Sequence, residues 1–420
     1  MGSVKYKVMD YIDRNFTQKI KRISENFSVI VITGARQVGK TTFIKHILQG
    51  KADYIEFDPV IDIENARKDP ELFLNNHKTP LILDEIQYAP EIVSVIKRRL
   101  TNNKAPGQYY LTGSQQWNVL KTMAESLAGR AVIIELSGFD FMESAGASNP
   151  GSWLDRYLND PITFLRTDFN ILNSPFSLLE TIFRGFLPDA LHHPLDVLNE
   201  FHHSYIRTYI ERDIRLLADI SDFQQFSRFY RLTGALSGQE VNYSKIGRDI
   251  GITPGTSKRW LDILSATFQY LEIPAFSLNA VKRLSNKPKG YLIDSGLICF
   301  SLAISSPTAI NTNPGWGHIF ESMIVNDINK KIALMPFKPN IYHWRTHAGA
   351  EVDLLLEIDG KYFPIEIKGK THPGRNDTRG ISAFRETYPG IDIQPGLVIA
   401  PTDKILKISD NDYTVPYNIY

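Results

Sequence analysis

Between Ser28 and Phe43 the chain reads SVIVITGARQVGKTTF, and this stretch limits its architecture more than any other. Four apolar residues, Val29 to Ile32, predict a buried strand. Gly34-Ala35-Arg36-Gln37-Val38-Gly39-Lys40-Thr41 then fits the phosphate-loop pattern G-x-x-x-x-G-K-[ST] at every fixed position. Gly34 and Gly39 let the backbone curl so that its N–H groups face a β-phosphate. Lys40 would reach the β- and γ-phosphates, and the Thr41 hydroxyl would ligate Mg²⁺. The residues that follow, from Thr42, are expected to open a helix whose positive end also faces the anion. Four fixed positions match by chance in about one chain of this length in a hundred. The strand before them lowers those odds, so the plainer alternative, a glycine turn before a helix, is disfavoured. The stretch predicts a nucleoside triphosphate site, with ATP and Mg²⁺ as its ligands.

Global properties add little. At 420 residues the chain is long for one core and predicts two or three domains. Lys and Arg number 47 against 46 Asp and Glu, so only local clustering can argue for a nucleic-acid partner. The single cysteine, Cys299, lies in the apolar run Leu297-Ile298-Cys299-Phe300 and reads as core; one cysteine excludes an internal disulfide framework and a cysteine zinc site. No run approaches the ~18 apolar residues of a membrane span. The N-terminal MGSVKYKVMD lacks the apolar core of a signal peptide, so the expected compartment is the cytoplasm.

Residues 5 to about 25 place Val8, Tyr11, Ile12, Phe16 and Ile20 at helical spacing, predicting a helix before the first strand. Tyr54 to Asp58 reads as a second strand. Pro80-Leu81-Ile82-Leu83-Asp84-Glu85 is an apolar strand ending in two acids. Behind a phosphate loop, such a strand delivers Asp84 to the Mg²⁺ shell and Glu85 to the attacking water. Solvated strand ends are often acidic, so the pair gains its meaning from the loop upstream. The strand Tyr109 to Thr112 runs into Gly113-Ser114-Gln115, where Ser114 is either a γ-phosphate sensor or a helix N-cap. Arg130 precedes the strand Ala131 to Leu136 and is either an arginine finger, in its own subunit or a neighbour's, or a surface residue. Strands alternating with helices from 28 to 136 predict a parallel sheet with helices on both faces.

TGARQVGKTT, LILDEIQ, LTGSQ and SLAGR, in this order, resemble the AAA-like ATPase family of bacteria and archaea, whose members join the ATPase to a C-terminal domain of long-unknown function. The resemblance implies Walker A roles for Gly34, Gly39, Lys40 and Thr41, and Walker B roles for Asp84 and Glu85. It implies a sensor role for Ser114 and an arginine-finger-like role for Arg130. Tyr209-Ile210-Glu211-Arg212-Asp213-Ile214 also resembles a family segment. Arg184-Gly185-Phe186-Leu187-Pro188-Asp189 only approximates a family turn and takes no role from it.

Residues 137 to 220 say less, beyond a long helix expected over 200–220. Tyr243 to Thr253 reads as a short helix, a glycine turn and the start of a second helix carrying Lys258, Arg259 and Trp260. A β-wing is expected from Phe276 to Tyr291. From 241 to 290 there are eight cations (245, 248, 258, 259, 282, 283, 287, 289) against three acids (249, 262, 272), a local net of +5. That predicts a basic winged-helix module whose Lys258, Arg259, Lys282 and Arg283 contact duplex DNA. Winged helices also serve as packing lids on ATPases, and the cations are then simply solvated.

In the C-terminal third, Glu321 lies three, four and seven residues before Ile324, Val325 and Ile328, on the apolar side of a predicted helix, where an unpaired carboxylate is costly. Glu351 to Glu357, a turn at Gly360 and Tyr362 to Lys368 predict a hairpin that brings Asp353 beside Glu366. Glu366 and Lys368 share one strand face. Two carboxylates can hold Mg²⁺, and an adjacent lysine can polarise the attacking water. This D…E-x-K arrangement with a preceding helical glutamate resembles the PD-(D/E)XK nuclease superfamily, although Val352 rather than proline precedes Asp353. The resemblance implies metal ligation by Asp353 and Glu366, catalysis by Lys368 and support from Glu321. Exposed E-x-K on a strand is also ordinary cross-strand charge pairing, and superfamily members can keep the scaffold without turnover.

The expected fold class is α/β: a P-loop NTPase parallel sheet (1–145), a helical lid or linker (146–221), a winged-helix-like module (222–300) and a small α/β restriction-endonuclease-like domain (301–420). The expected function is a Mg²⁺-dependent ATPase acting on duplex DNA, with a candidate nuclease domain and the capacity to assemble with further copies of itself. The alternative is an ATP-dependent regulatory or assembly protein that binds a protein partner and cuts nothing. A kinase or GTPase is disfavoured, because the sequence has no Asn-Lys-x-Asp guanine motif.

Overall fold

The computed structural model describes residues 11–57, 63–113, 125, 127–147, 152–209, 214, 223–279, 281, 283 and 286–420. Ser114, Lys282 and residues 210–213 lie outside these, so the sensor candidate and one DNA-contact candidate have no placement here.

The sheet of the first domain contains, among the described residues, β1 (Val29–Thr33), β2 (Asp53–Glu56), β3 (Leu81–Asp84), β4 (Tyr109–Thr112) and β5 (Ala131–Glu135), all parallel, in the order β2-β3-β4-β1-β5. The apolar run Val29–Ile32 explains why β1 is central. Its Ile30 and Ile32 pack with Phe16 and Ile20 of α1 (Phe16–Ser24) and with Phe43 and Ile44 of α2 (Lys40–Leu48). Val29 and Val31 face the other way, onto Leu83, Leu111 and Ile92, Val95 and Ile96 of α3 (Glu91–Asn102). Only a strand without a polar face can be covered twice, and each such side chain contributes about 2 kcal/mol by leaving water.

The region expected to be one helical lid divides in two. Trp153, Tyr157 and Phe164, on short helices at 153–159 and 161–166, cover the C-terminal sheet: Tyr157 packs edge-on to Phe363 at 5.3 Å and donates to the Pro395 carbonyl at 2.7 Å. The later part, α4 (Leu178–Arg184) and α5 (Leu198–Thr208), lies between the phosphate loop and the middle of the chain. The helix predicted over 200–220 is described only through Thr208.

The middle module contains α6 (Phe223–Ala235), β6 (Gln239–Glu240), α7 (Tyr243–Ile250), α8 (Pro254–Ala266), β7 (Tyr270–Ile273), β8 (Lys289–Leu292) and α9 (Ser295–Ser301). Gly251, with φ of +80°, makes the turn between α7 and α8, and Thr253 caps α8 by accepting from the Thr256 N–H at 3.0 Å. Strands β6 and β7 flank β8 in a small antiparallel sheet. The expected wing over Phe276–Tyr291 is not a free hairpin. Strands β7 and β8 flank the described part of it, and the Phe276 ring pins its start to the C-terminal domain. That ring sits among Tyr342, Tyr362, Phe384 and Tyr388 at 5.3–5.6 Å.

In the C-terminal domain α10 (Trp316–Leu334) precedes an antiparallel run of β9 (Asn340–Arg345), β10 (Glu351–Ile358) and β11 (Lys361–Ile367). Then come α11 (Arg379–Thr387) and β12 (Asp392–Ile393), followed by β13 (Gly396–Ala400), β14 (Leu406–Lys407) and β15 (Asp412–Pro416). β13 joins β11 in parallel, and β15 joins β13 in parallel. One apolar core runs from Ala35 and Val38 of the phosphate loop, through Phe226, Trp260 and Leu297, to Phe363 and Ile399.

Candidate functional site

The phosphate loop lies at the C-terminal edge of the parallel sheet, where β1 ends. Gly34 has φ of +138° and packs so tightly that a Cβ would collide with the Leu136 carbonyl oxygen. Gly39 has φ of +84° and caps α2. Both glycines are therefore required by backbone geometry. Arg36, Gln37, Gly39, Lys40, Thr41 and Thr42 line a cleft of about 230 Å³ that Glu85, Tyr205 and Thr208 complete. Ala35 and Val38 instead point into the core, where they anchor the loop. The Lys40 ammonium donates to the carbonyls of Gly34 (3.0 Å) and Ala35 (2.7 Å).

β3 brings its acids to the same edge. The Thr41 hydroxyl donates to Asp84 Oδ2 at 2.7 Å, which puts the loop and the acidic strand in direct contact. Tyr54 on β2 also donates to Asp84 Oδ2 (2.9 Å), Thr112 on β4 donates to Oδ1, and the Glu85 N–H reaches Oδ1 at 3.2 Å. Burial, reinforced by the Asp84 charge, pushes the Tyr54 phenol well above its ordinary range. A hydroxyl and a carboxylate side by side suit a hard cation such as Mg²⁺. Glu85 holds a left-handed backbone conformation (φ +53°), costing about 1 kcal/mol or more, and lines the cleft within reach of the Gln87 amide.

A second chamber of about 330 Å³ adjoins the cleft and shares Gln37, Gly39 and Thr42 with it. Tyr11, Ile12, Phe43, Phe139, Pro188 and His192 give it an apolar lining. Here the Arg184–Asp189 segment, left without a role by its sequence, finds a place. Gly185 (φ +76°) lies against Asp294, Phe186 N–H donates to Asp294 Oδ2 at 2.6 Å, and Pro188 and Asp189 line the chamber.

Arg130 is not in this cleft. It precedes β5, its carbonyl accepts from the Val29 N–H at 3.1 Å at the start of β1, and its guanidinium donates to the Lys97 carbonyl at 3.2 Å. Five strand residues, about 16 Å of extended chain, separate it from the loop. Its guanidinium therefore stands away from the cleft of its own subunit.

The basic surface expected on the middle module is smaller than its sequence suggests. Lys258 and Arg259 are exposed on α8, with Lys258 paired to Asp262 at 2.8 Å, while Trp260 packs inward on Phe226 and Phe229. Arg283 is not a free cation: it donates to the Ser277 carbonyl (3.0 Å) and the Tyr342 hydroxyl (3.1 Å) and lies over the Tyr342 ring. Lys289, counted among the surface cations, is 2% exposed.

Lys289 is instead buried among the C-terminal acids. Its ammonium is 3.0 Å from Glu321 Oε1 and 3.3 Å from Asp353 Oδ1, and it also contacts Glu351. Tyr291 donates to Glu321 Oε1 at 2.8 Å. Asp353 and Glu366 do meet, one step beyond the Leu354–Ile365 pair of the β10–β11 hairpin. Lys368 bridges them, 2.6 Å from Glu366 Oε2 and 3.2 Å from Asp353 Oδ2, and the Ile367 N–H donates to Asp353 Oδ2 at 2.9 Å. Despite burial, the two lysines hold the Asp353 carboxyl at about 2; burial, with Asp353 alongside, pushes Glu366 well above the carboxylate range. Glu321, expected to need a partner on an apolar helix face, is met by Lys289 and Tyr291.

Residues 26–145 match the family described as an AAA domain, while 176–308 and 316–420 match two families described as domains of unknown function, DUF8612 and DUF4143. An uncharacterized protein of Mycobacterium tuberculosis is 25% identical over 409 residues, covering 96% of this chain and 83% of that protein; one from Mycobacterium bovis gives the same figures. Among solved structures, the Walker-type ATPase of Pyrococcus abyssi is similar with a TM-score of 0.41 at 15% identity, covering 70% of this chain and 96% of that one. The Holliday junction branch migration motor RuvB of Thermotoga maritima is similar with a TM-score of 0.26 at 16% identity, covering 65% and 95%. The first domain is thus an AAA-like P-loop ATPase domain of α/β fold. No helix among the described residues is long and apolar enough to cross a membrane.

Proposed function

We propose that the chain is a Mg²⁺-dependent ATPase that acts on duplex DNA. The observation that carries the ATPase reading is the contact of the Thr41 hydroxyl with Asp84 at 2.7 Å, in one cleft with Lys40 and Glu85. Bound Mg²⁺ would neutralise phosphate charge between Thr41 and Asp84. Lys40 exchanges its two carbonyl partners for phosphate oxygens. Glu85 orients the attacking water or accepts its proton. The apolar chamber beside the loop takes the base, with Tyr11, Ile12 and Pro188 as its walls. Ser114 senses the γ-phosphate, and Arg130, remote from its own cleft, reaches a neighbour's cleft in a homo-oligomer.

The DNA reading is supported by the helix-turn-helix order of α7 and α8, read as part of a winged helix, with Lys258 and Arg259 outward. The C-terminal helix–strand–strand–strand–helix–strand order, with Glu321, Asp353, Glu366 and Lys368 converging, supports a PD-(D/E)XK-like domain. A second reading, a regulator that binds a protein partner and cuts nothing, is favoured by the lysine already seated among those acids.

Steady-state ATP hydrolysis with and without duplex DNA tests both parts. Lys40→Ala is expected to lower turnover by about a hundredfold or more. DNA is expected to stimulate the wild type, and Lys258→Ala/Arg259→Ala to lose that stimulation at unchanged basal rate. Full hydrolysis by Lys40→Ala refutes the ATPase reading. No effect of DNA at low salt refutes the DNA reading and favours the regulator.

A further inference from the structure

The acids expected to hold a metal in the C-terminal domain do not fit one as they stand. Asp353 Oδ1 is held by Lys289, and Oδ2 by Lys368 and the Ile367 N–H, while Lys368 also holds Glu366 Oε2 at 2.6 Å. Glu321 Oε1 accepts from both Lys289 and Tyr291, while Oε2 faces His318 at 3.7 Å. Glu351 is shared between Lys289 and Arg345, the latter at 3.4 Å. An ammonium group has three protons to donate, and Lys289 has three carboxylates to receive them. Among the described residues no set of three or more His, Cys, Asp or Glu side chains is arranged to hold a metal ion. A magnesium ion draws its oxygens in to about 2.1 Å; here Glu321 and Asp353 stand at 3.0 and 3.3 Å around a nitrogen.

The cation that fills this cluster belongs to another module. Lys289 opens β8, and with Tyr291, two residues on and therefore on the same strand face, it reaches across to Glu321 on α10. The seam that holds β8 there is specific: Phe276 N–H donates to the His343 carbonyl at 2.6 Å, His343 N–H to the Pro274 carbonyl at 3.0 Å, and Phe276 sits in its aromatic cage.

We propose that Lys289 is a resident cation that closes the C-terminal carboxylate cluster to divalent ions for as long as the middle module is docked. The closure rests on the reading of that cluster as a nuclease-like metal site. The lysine satisfies Asp353, Glu321 and Glu351 while Lys368 holds Glu366, and a divalent ion enters only when β8 withdraws. Movement of the middle module then sets how much divalent ion the site needs to fill.

The test uses the full chain carrying Asp84→Ala, which silences the ATPase metal position, with Mn²⁺ as probe and no nucleotide. Electron paramagnetic resonance is expected to find no Mn²⁺ bound by this background. Adding Lys289→Met is expected to create one Mn²⁺ site, abolished by Asp353→Asn, and to make the melting temperature rise with Mn²⁺ where the background does not respond. Should Lys289→Met fail to fold, Lys289→Met/Glu351→Gln, which removes one acid together with the cation, carries the same expectation. A background chain that already binds Mn²⁺ in an Asp353-dependent way overturns the proposal, and so does a folded Lys289 variant that binds none. Mn²⁺ binding without any nicking of plasmid DNA leaves the closure intact and refutes the nuclease reading alone.

Discussion

Three hydroxyls converge on Asp84: those of Thr41, Tyr54 and Thr112. Such partners fix a carboxylate before a metal arrives, and removing one typically lowers metal affinity or activity about tenfold or more. Tyr54→Phe is therefore expected to raise the Mg²⁺ concentration needed for half-maximal hydrolysis by about tenfold, with little change in the melting temperature. An unchanged Mg²⁺ dependence would remove Tyr54 from the site. The acids themselves were legible, because an apolar strand ending in Asp84-Glu85 behind a phosphate loop has one economical interpretation. Tyr54 and Thr112 were not. They reach Asp84 from the strands on either side of β3, and a strand order of β2-β3-β4 is not written locally in any of them. Lys289 was misread for a related reason. Beside Lys287 it looks like one more surface cation, while its partners lie 32 and 64 residues further along the chain.

At the scale of elements, the strand pair β7–β8 and the segment joining them stand where the sequence pattern predicts a wing. A basic stretch between two short strands predicts a solvent-exposed hairpin. The apolar Phe276 decides otherwise by finding an aromatic cage 66 to 112 positions downstream, at Tyr342 and Tyr388. His343 sits in this seam at 1% exposure. Its Nε2–H donates to the Lys287 carbonyl at 3.0 Å, and its Nδ1 has no hydrogen-bond partner among the described residues. Burial, helped by the nearby Lys289 charge, lowers its pKa to about 4 from 6.5. The folded chain thus prefers neutral imidazole. This contribution is complete above pH 6.5 and is lost as pH falls towards 4, amounting to roughly 3 kcal/mol. Urea unfolding at pH 7 and pH 4.5 is expected to show a smaller pH penalty for His343→Leu than for wild type. Equal penalties would show that His343 is not the group that titrates.

At the scale of the whole molecule, α10 joins two sites that belong to different domains. Glu321 lies near its start; Asp327 follows about 9 Å along the axis, and Lys330 and Lys331 about 14 to 15 Å along it. Asp327 accepts from the Phe141 N–H at 2.8 Å and pairs with Lys331 at 2.6 Å; Lys330 donates to the Phe139 carbonyl at 2.7 Å. Residues 137–143 in turn meet Arg14, which donates to the Ser137 carbonyl (2.7 Å), pairs with Glu143 (3.2 Å) and holds the phosphate loop by the Val38 carbonyl (2.9 Å). A continuous polar path therefore runs from the loop to the helix that bears Glu321, and contiguity becomes coupling only if nucleotide alters both ends. Hydrogen exchange across 316–334 is expected to change when an ATP analogue and Mg²⁺ are added to the wild type. In Lys330→Met the response is expected to shrink while nucleotide affinity stays the same. The substitution loses a hydrogen bond but no longer buries an ammonium, so stability is expected to shift by about 1 kcal/mol or less. Exchange in α10 that ignores nucleotide in the wild type would mean that the path is structural cement. Exchange that responds equally in both proteins would mean that the signal travels by another route.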